Sequence, residues 1–221
     1  AGESELRAAL ASLDRAAGAD SLDAARAAAA LGRNLNAQER HTEALALSER
    51  AYAALAERLG HGDREAVRAL LAECQALRFS DRSAEAARRI ASARTALAAT
   101  PHVNPVTRAL LEVESAQVEL HLRHPAEALA AAETALASLG AILGPASAAR
   151  SDALQARALA RMQAGDFDGA RADLDAAVAV LRAIDPDHPR LASVLIDLAL
   201  VFEHRGRIDE GIALRREVLA T

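Results

Sequence analysis

Few residues in this chain are suited to covalent or metal chemistry. Cys74 is the single cysteine, and seven histidines are scattered over 221 residues. A thiol becomes a nucleophile when a base or a positive field lowers its pKa. No histidine is fixed beside Cys74 by the sequence. His121 and His124 stand three apart near a predicted helix end, so both lie on one helix face. A zinc site would need further ligands there, and none accompanies them. A single cysteine allows neither an internal disulfide nor a four-cysteine zinc site. There is no Gly-rich phosphate loop, no G-x-S-x-G and no H-E-x-x-H. The expectation is therefore no catalytic residue, no metal, no cofactor and no enzyme. The Arg88-Arg89 and Arg215-Arg216 pairs read as solvated charges on outer helix faces. His188, between Asp187 and Pro189, reads as part of a connecting turn.

The elements behind these residues are helical. Hydrophobic residues make up 52% of the chain, yet aromatics only 2%. Ala alone is roughly a quarter, far above average usage. Ala, Leu, Arg and Glu are the strongest helix formers. A sandwich or barrel would need more β-branched and aromatic residues. The apolar supply also argues against disorder. A net charge of −5 argues against generic nucleic-acid binding, and every basic residue is Arg. No apolar run approaches the ~20 residues needed to span a bilayer, and no basic-then-apolar leader opens the chain. No membrane partner and a cytoplasmic location are expected.

A repeat organises the chain. Small residues recur at Ala44, Ala86, Ala128, Ala170 and Gly211, with steps of 42, 42, 42 and 41. Twelve residues earlier stands a second series: Gly32, Cys74, Ala116, Ala158 and Ala199. A third follows seven residues later at Ala51, Ala93, Ala135 and Ala177, with Val218 in the last copy. Small residues in phase mark places where two helix backbones approach closely, and larger apolar residues at i, i+3 and i+4 fill the rest of each seam. On this reading Cys74 is a buried small hydrophobe. First helices are predicted at about 21–38, 63–79, 104–122, 146–164 and 188–205. Second helices are predicted at about 41–59, 82–99, 125–140, 167–184 and 208–220, with one more at 4–17. Ser4 and Ser21 are candidate N-caps. Gly165-Asp166 and Gly206-Arg207 are stop signals. Leu143-Gly144-Pro145 and the segment Asp185 to Pro189 are connections. The chain opens on a second helix, without Met, as a piece cut from a longer array would.

The 42-residue step and the three small series resemble tetratricopeptide repeats. The connection Asp185-Pro186-Asp187-His188-Pro189 and the residues Leu198-Ala199-Leu200, Arg205-Gly206-Arg207 and Asp209-Glu210 are similar to the longer, kinesin-light-chain-like subtype. Asp81 and Arg123 depart from the family's preferred turn Gly, and Glu119 and Arg161 from its preferred aromatic. The resemblance implies an all-α, right-handed α-solenoid of about five helix pairs and an N-terminal half repeat. It would be a single domain over 1–221: half repeat 1–19, then about 20–60, 61–101, 102–144, 145–186 and 187–221. It further implies that first helices line a concave groove that binds a protein or peptide. In the small-residue register the groove positions include Arg26, Arg33, Asn36, Arg68, Gln75, Arg78, Glu114, Gln117, His121, Asp152, Gln155, Asp197 and Glu203. Of these, Arg26, Arg33, Arg68, Gln75, Arg78, Gln117, His121 and Gln155 are the candidate partner-binding residues. The groove is then basic at its start, amide-rich in the middle and acidic at its end. Four Arg could clamp a carboxylate, and the Gln side chains could pair with an extended peptide backbone. In bacteria such arrays resemble regions of kinases and transcriptional regulators. The alternative function is therefore a regulatory or sensor region of a larger signalling protein. The apolar residues Ile212, Leu214, Val218 and Leu219 on the last helix invite self-association through an end, or cover by a further repeat.

Overall fold

The computed structural model describes residues 2–140 and 147–219, and the Leu143-Gly144-Pro145 connection lies outside them. Every regular element among the described residues is a helix. They are α1 Glu3–Ala17, α2 Leu22–Ala37, α3 His41–Leu59, α4 Arg64–Phe79, α5 Ser83–Ala99 and α6 Pro105–His121. Then follow α7 Pro125–Gly140, α8 Ala148–Gln163, α9 Phe167–Ile184, α10 Leu191–His204 and α11 Ile208–Leu219. The chain divides into two compact units, Ala1–Glu114 and Ser115–Thr221. In the first unit each of α1 to α5 packs on the next, and α2 also touches α4. In the second the same holds from α7 to α11, and α8 touches α10. Packing between consecutive helices, with further contact between alternate ones, is the pattern of an α-solenoid.

The small-residue series lie at the closest approaches. A Cβ at Gly32 would fall 2.6 Å from Ser48 Oγ and 3.4 Å from the Ala44 carbonyl oxygen. One at Gly211 would fall 3.0 Å from the Ala199 carbonyl oxygen. Cys74 Sγ lies 3.9 Å from the Ala86 carbonyl oxygen. Ala116, Ala128, Ala158 and Ala170 are fully buried. Large side chains cannot occupy these places without pushing two backbones apart, because protein interiors leave no spare volume.

The turn inside each repeat is equally regular. Glu39, Asp81, Arg123, Gly165 and Gly206 all have positive φ, between 58° and 85°. The next residue donates its N–H back into the first helix in every case. These bonds are Arg40 to Leu35, Arg82 to Leu77, His124 to Glu119, Asp166 to Arg161 and Arg207 to Phe202, at 2.8–2.9 Å. With the companion bond from Glu39 N–H to the Asn36 carbonyl (3.0 Å) this is the Schellman closure of a helix. Three repeats therefore form with charged residues a turn that Gly forms in the other two. Glu119 and Arg161, the other departures from the family pattern, serve the turn as well. Glu119 accepts from His124 Nδ1 at 2.9 Å, and Arg161 donates to the Gly169 carbonyl at 3.2 Å.

Two helix starts differ from expectation. Ser4 lies inside α1, whose N-cap is Gly2; the Glu5 carboxylate reaches back to the Gly2 N–H at 3.2 Å. That acidic side chain satisfies the helix end two positions earlier than a cap at Ser4 would. The fifth first helix starts at Leu191 rather than near 188. The residues before it are held in two turns. Asp185 Oδ1 accepts the Asp187 N–H (3.0 Å), and His188 Nδ1 accepts the Arg190 N–H (3.2 Å). Ser21 caps α2 as expected, its Oγ accepting from the Ala24 N–H at 3.3 Å. On α11, Ile208, Ile212 and Leu219 are exposed, Leu219 at 87%.

Candidate functional site

In the first unit, the contact between α2 and α4 brings Arg26, Arg33 and Arg68 to one face. They line a pocket of about 170 Å³ with Ala29, Leu55 and Glu65. The helical spacing of 26 and 33 places both on the same side of α2. Arg26 is already engaged: its Nε donates to Glu65 on α4 at 2.8 Å. Arg33 and Arg68 carry no ion pair or hydrogen bond among the described residues. Partial burial holds the Arg33 guanidinium below its ordinary pKa, and the like charge of Arg68 adds to this. Arg keeps its charge in any protein environment, so two exposed guanidiniums without an ion pair flank a small cavity that Glu65 also lines.

Arg78 is not part of that open face. It is buried at 8% exposure, and its Nε lies 3.4 Å from Glu114 Oε1. Burial raises the Glu114 pKa against the pull of Arg78. The guanidinium also covers the Phe79 ring, 4.6 Å from its centroid. An expected groove cation is thus an internal counter-ion. Gln75 lies beside it, lining a wider opening of about 510 Å³ with Asn36, His41 and Phe79. Asn36 is buried and donates to the Ala72 carbonyl at 2.8 Å. His41 stacks on the exposed Phe79 with 4.8 Å between centroids.

In the second unit, His121 Nδ1 donates to the carbonyl of Gln117 at 3.0 Å, one helical turn back. His124 pairs instead with Glu119. Among the described residues no three of His, Cys, Asp or Glu are grouped to hold a metal ion. Gln155 Nε2 donates to Asp197 Oδ2 at 2.7 Å, joining α8 to α10. Burial raises the Asp197 pKa, and the Gln155 bond opposes it. Asp152 pairs with Arg190. The structure therefore brings Arg26, Arg33 and Arg68 together, and separately Asp152, Gln155 and Asp197 on α8 and α10. Burial pushes the Cys74 thiol far up, which keeps it protonated and inert.

A second arrangement was missed by sequence reasoning. Glu73 on α4 is completely buried. It forms the floor of an opening of about 710 Å³ between α3 and α5, which Glu49, Tyr52, Glu57, His61 and Arg89 also line. Arg89 is not simply solvated: its Nε stands 2.8 Å from Glu73 Oε1. Arg215 likewise donates to Glu203, at 2.8 Å. The signal was available in the repeat register. The positions equivalent to 73 hold Leu31, Ser115, Arg157 and Leu198, and those equivalent to 89 hold Leu47, Ala131, Asp173 and Leu214. The two columns change together, as two apolar pairs, one small pair and two ion pairs of opposite sense.

Comparison with known proteins agrees with the fold. The family model of the tetratricopeptide repeat matches residues 150–221. No curated protein matches the sequence. Among solved structures, BtubC (BKLC) from P. vanneervenii is similar with a TM-score of 0.73 and 16% identity, covering 99% of this chain and 88% of that one. Kinesin light chain nearly identical TPR-like repeats from Podosopora anserina are similar with a TM-score of 0.63 and 20% identity, over 88% of this chain and 93% of that one. At such identities the likeness is one of fold, and repeats of this fold generally serve protein interaction. No described helix is long and apolar enough to cross a membrane. Residues 150–221 thus match the tetratricopeptide repeat, helix pairs continue at the same spacing upstream, and the fold is similar to that of kinesin-light-chain repeats.

Proposed function

We propose that this chain binds a protein or peptide partner through the first-helix face of its N-terminal unit, where Arg33 and Arg68 receive a carboxylate. The observation that carries this reading is that these two guanidiniums have no ion pair among the described residues. Every other candidate Arg of that wall has an internal carboxylate: Arg26 has Glu65 and Arg78 has Glu114. Two guanidiniums held beside one cavity repel one another until an anion joins them, and a carboxylate can accept from both. A peptide C-terminus or an acidic side chain supplies that group. Gln75, further along α4, offers amide donors and acceptors to the rest of such a peptide.

The test is a fluorescence-anisotropy titration with labelled acidic peptides, each with a free or an amidated C-terminus. It compares the wild type with an Arg33→Glu/Arg68→Glu variant. Binding weakened at least 10-fold by the variant, with helicity unchanged by circular dichroism, is the expected outcome. Affinity equal in the two proteins would remove this face as the site. A pull-down from lysate with the same pair then names the partner. Arg78→Glu is unsuitable as the control, since it would bury a second negative charge beside Glu114.

A further inference from the structure

We infer that the opening between α3 and α5 is a second binding site, which takes an alkylammonium or guanidinium group on the buried Glu73 carboxylate. The inference is independent of the Arg33/Arg68 reading and concerns different helices.

The first observation is an unmet acceptor. Both Glu73 carboxylate oxygens are buried without a hydrogen bond. Arg89 Nε is close to one of them, at 2.8 Å, but outside hydrogen-bonding geometry. The equivalent pair in the second unit is an internal control. There Asp173 accepts 2.9 and 2.5 Å bonds from Arg157 and a 2.7 Å bond from Arg161. The same two positions of the repeat thus form a closed ion pair in one case and an open one in the other. A buried carboxylate ordinarily finds its full set of donors, so Glu73 has capacity for a donor that the chain itself does not supply.

The second observation is the character of the opening. Glu49, Glu57 and Glu73 line it against Arg89. Arg50, also on its wall, is turned to Asp14 (3.3 Å) and to the Ala19 carbonyl (2.8 Å). The balance is negative. Tyr52 adds an aromatic ring, held by its hydroxyl to His61 Nδ1 at 3.0 Å. Glu73 is near enough that its charge raises the Tyr52 pKa, behind the larger effect of burial. A ring beside carboxylates is a favourable lining for a cation. Arg89 is the resident cation, 43% exposed and 3.5 Å from Glu49. An entering cation takes its place at Glu73 while Arg89 moves outward along Glu49.

Tyr52 is the only tyrosine and there is no tryptophan. Intrinsic fluorescence therefore reports on this opening alone. The probes are propylguanidinium and n-butylammonium, the Arg and Lys side chains as free ions, titrated into the full chain. The expected result is a saturable change in Tyr52 emission, weakened at least 10-fold by Glu73→Gln. Arg89→Ala should tighten it several-fold, because a competing cation is removed. A merely structural role for Arg89 predicts no tightening. The Arg33→Glu/Arg68→Glu variant should respond as the wild type does. A short Gly/Ser peptide with one Arg, binding more tightly than propylguanidinium, assigns the cation to a partner's side chain; equal binding assigns it to a free small molecule. A non-saturable response in the wild type, or an equal one in Glu73→Gln, overturns the inference.

Discussion

Both oxygens of Glu73 are buried without a hydrogen bond, and its titration should be visible in folding. Burial lifts its pKa from 4.5 to about 7. The groups facing it are Arg89 and Glu85 on α5, Arg82 just before that helix and Glu49 on α3, with Arg89 and Arg82 opposing the shift and the two carboxylates adding to it. A carboxyl that holds its proton more tightly when folded is neutral in both states below about pH 4.5. As pH rises toward 7 the unfolded chain ionises first, and the fold loses stability until the folded group has ionised too. The shift corresponds to about 3 kcal/mol. Urea denaturation at pH 5 and pH 8 should show this loss in the wild type and not in Glu73→Gln. The variant should match the wild type at pH 5 and exceed it at pH 8. Equal pH dependence in both proteins would mean that Glu73 ionises freely. This residue was hidden from sequence reading because a Glu in a helix is ordinary; only its place in the column Leu31, Glu73, Ser115, Arg157, Leu198 is unusual. Arg78 was misplaced for a related reason. Its counter-ion Glu114 lies 36 residues away on another helix, and no local pattern marks the pairing.

At the level of the element, helix positions were legible because small residues and turn signals repeat in phase. Where they were misjudged, a local side chain decided, as with Glu5 at the start of α1 and Asp185 and His188 before α10. The turns offer a direct measurement. An L-residue in the left-handed region costs roughly 1–2 kcal/mol, less for Asp. Glu39 and Arg123 adopt φ of 61° and 64° where the fourth and fifth repeats have Gly. Glu39→Gly and Arg123→Gly should each stabilise the chain by about 1 kcal/mol after Gly's own entropy is counted. Thermal melts should show the increase, with Asp81→Gly giving less. A loss of stability in Arg123→Gly would show that its side chain, and not the turn, matters there.

For the whole molecule, energy resides in contacts between neighbouring helices. In such arrays stability is approximately a sum over repeats and their interfaces. Leu70 on α4 is fully buried, and Leu70→Ala should cost about 2–5 kcal/mol. Native-state hydrogen exchange should show the largest loss of protection in α3, α4 and α5, with less along the chain on either side. Uniform loss over all helices would point to a single cooperative unit instead. The fold class was readable at this scale because five copies average out local noise. The candidate site was only partly readable, since which Arg stay unpaired depends on contacts between helices, and these are not periodic.

The stacked rings lead to a practical conclusion about transplanting parts of this protein. His41 meets Phe79 in the first unit, and Phe167 meets His204 in the second, with 5.0 Å between centroids. The positions are equivalent and the partners exchanged. Each pair joins the second helix of one repeat to the first helix of the next. Glu73 and Arg89, by contrast, lie within one repeat. A cassette cut at the usual repeat boundary would therefore carry Glu73 and Arg89 intact and leave Phe79 without its histidine. A cassette cut half a repeat earlier would do the reverse. The smallest portable block that keeps both kinds of bond is three helices, α3 to α5, and designers recombining such arrays should cut on either side of it.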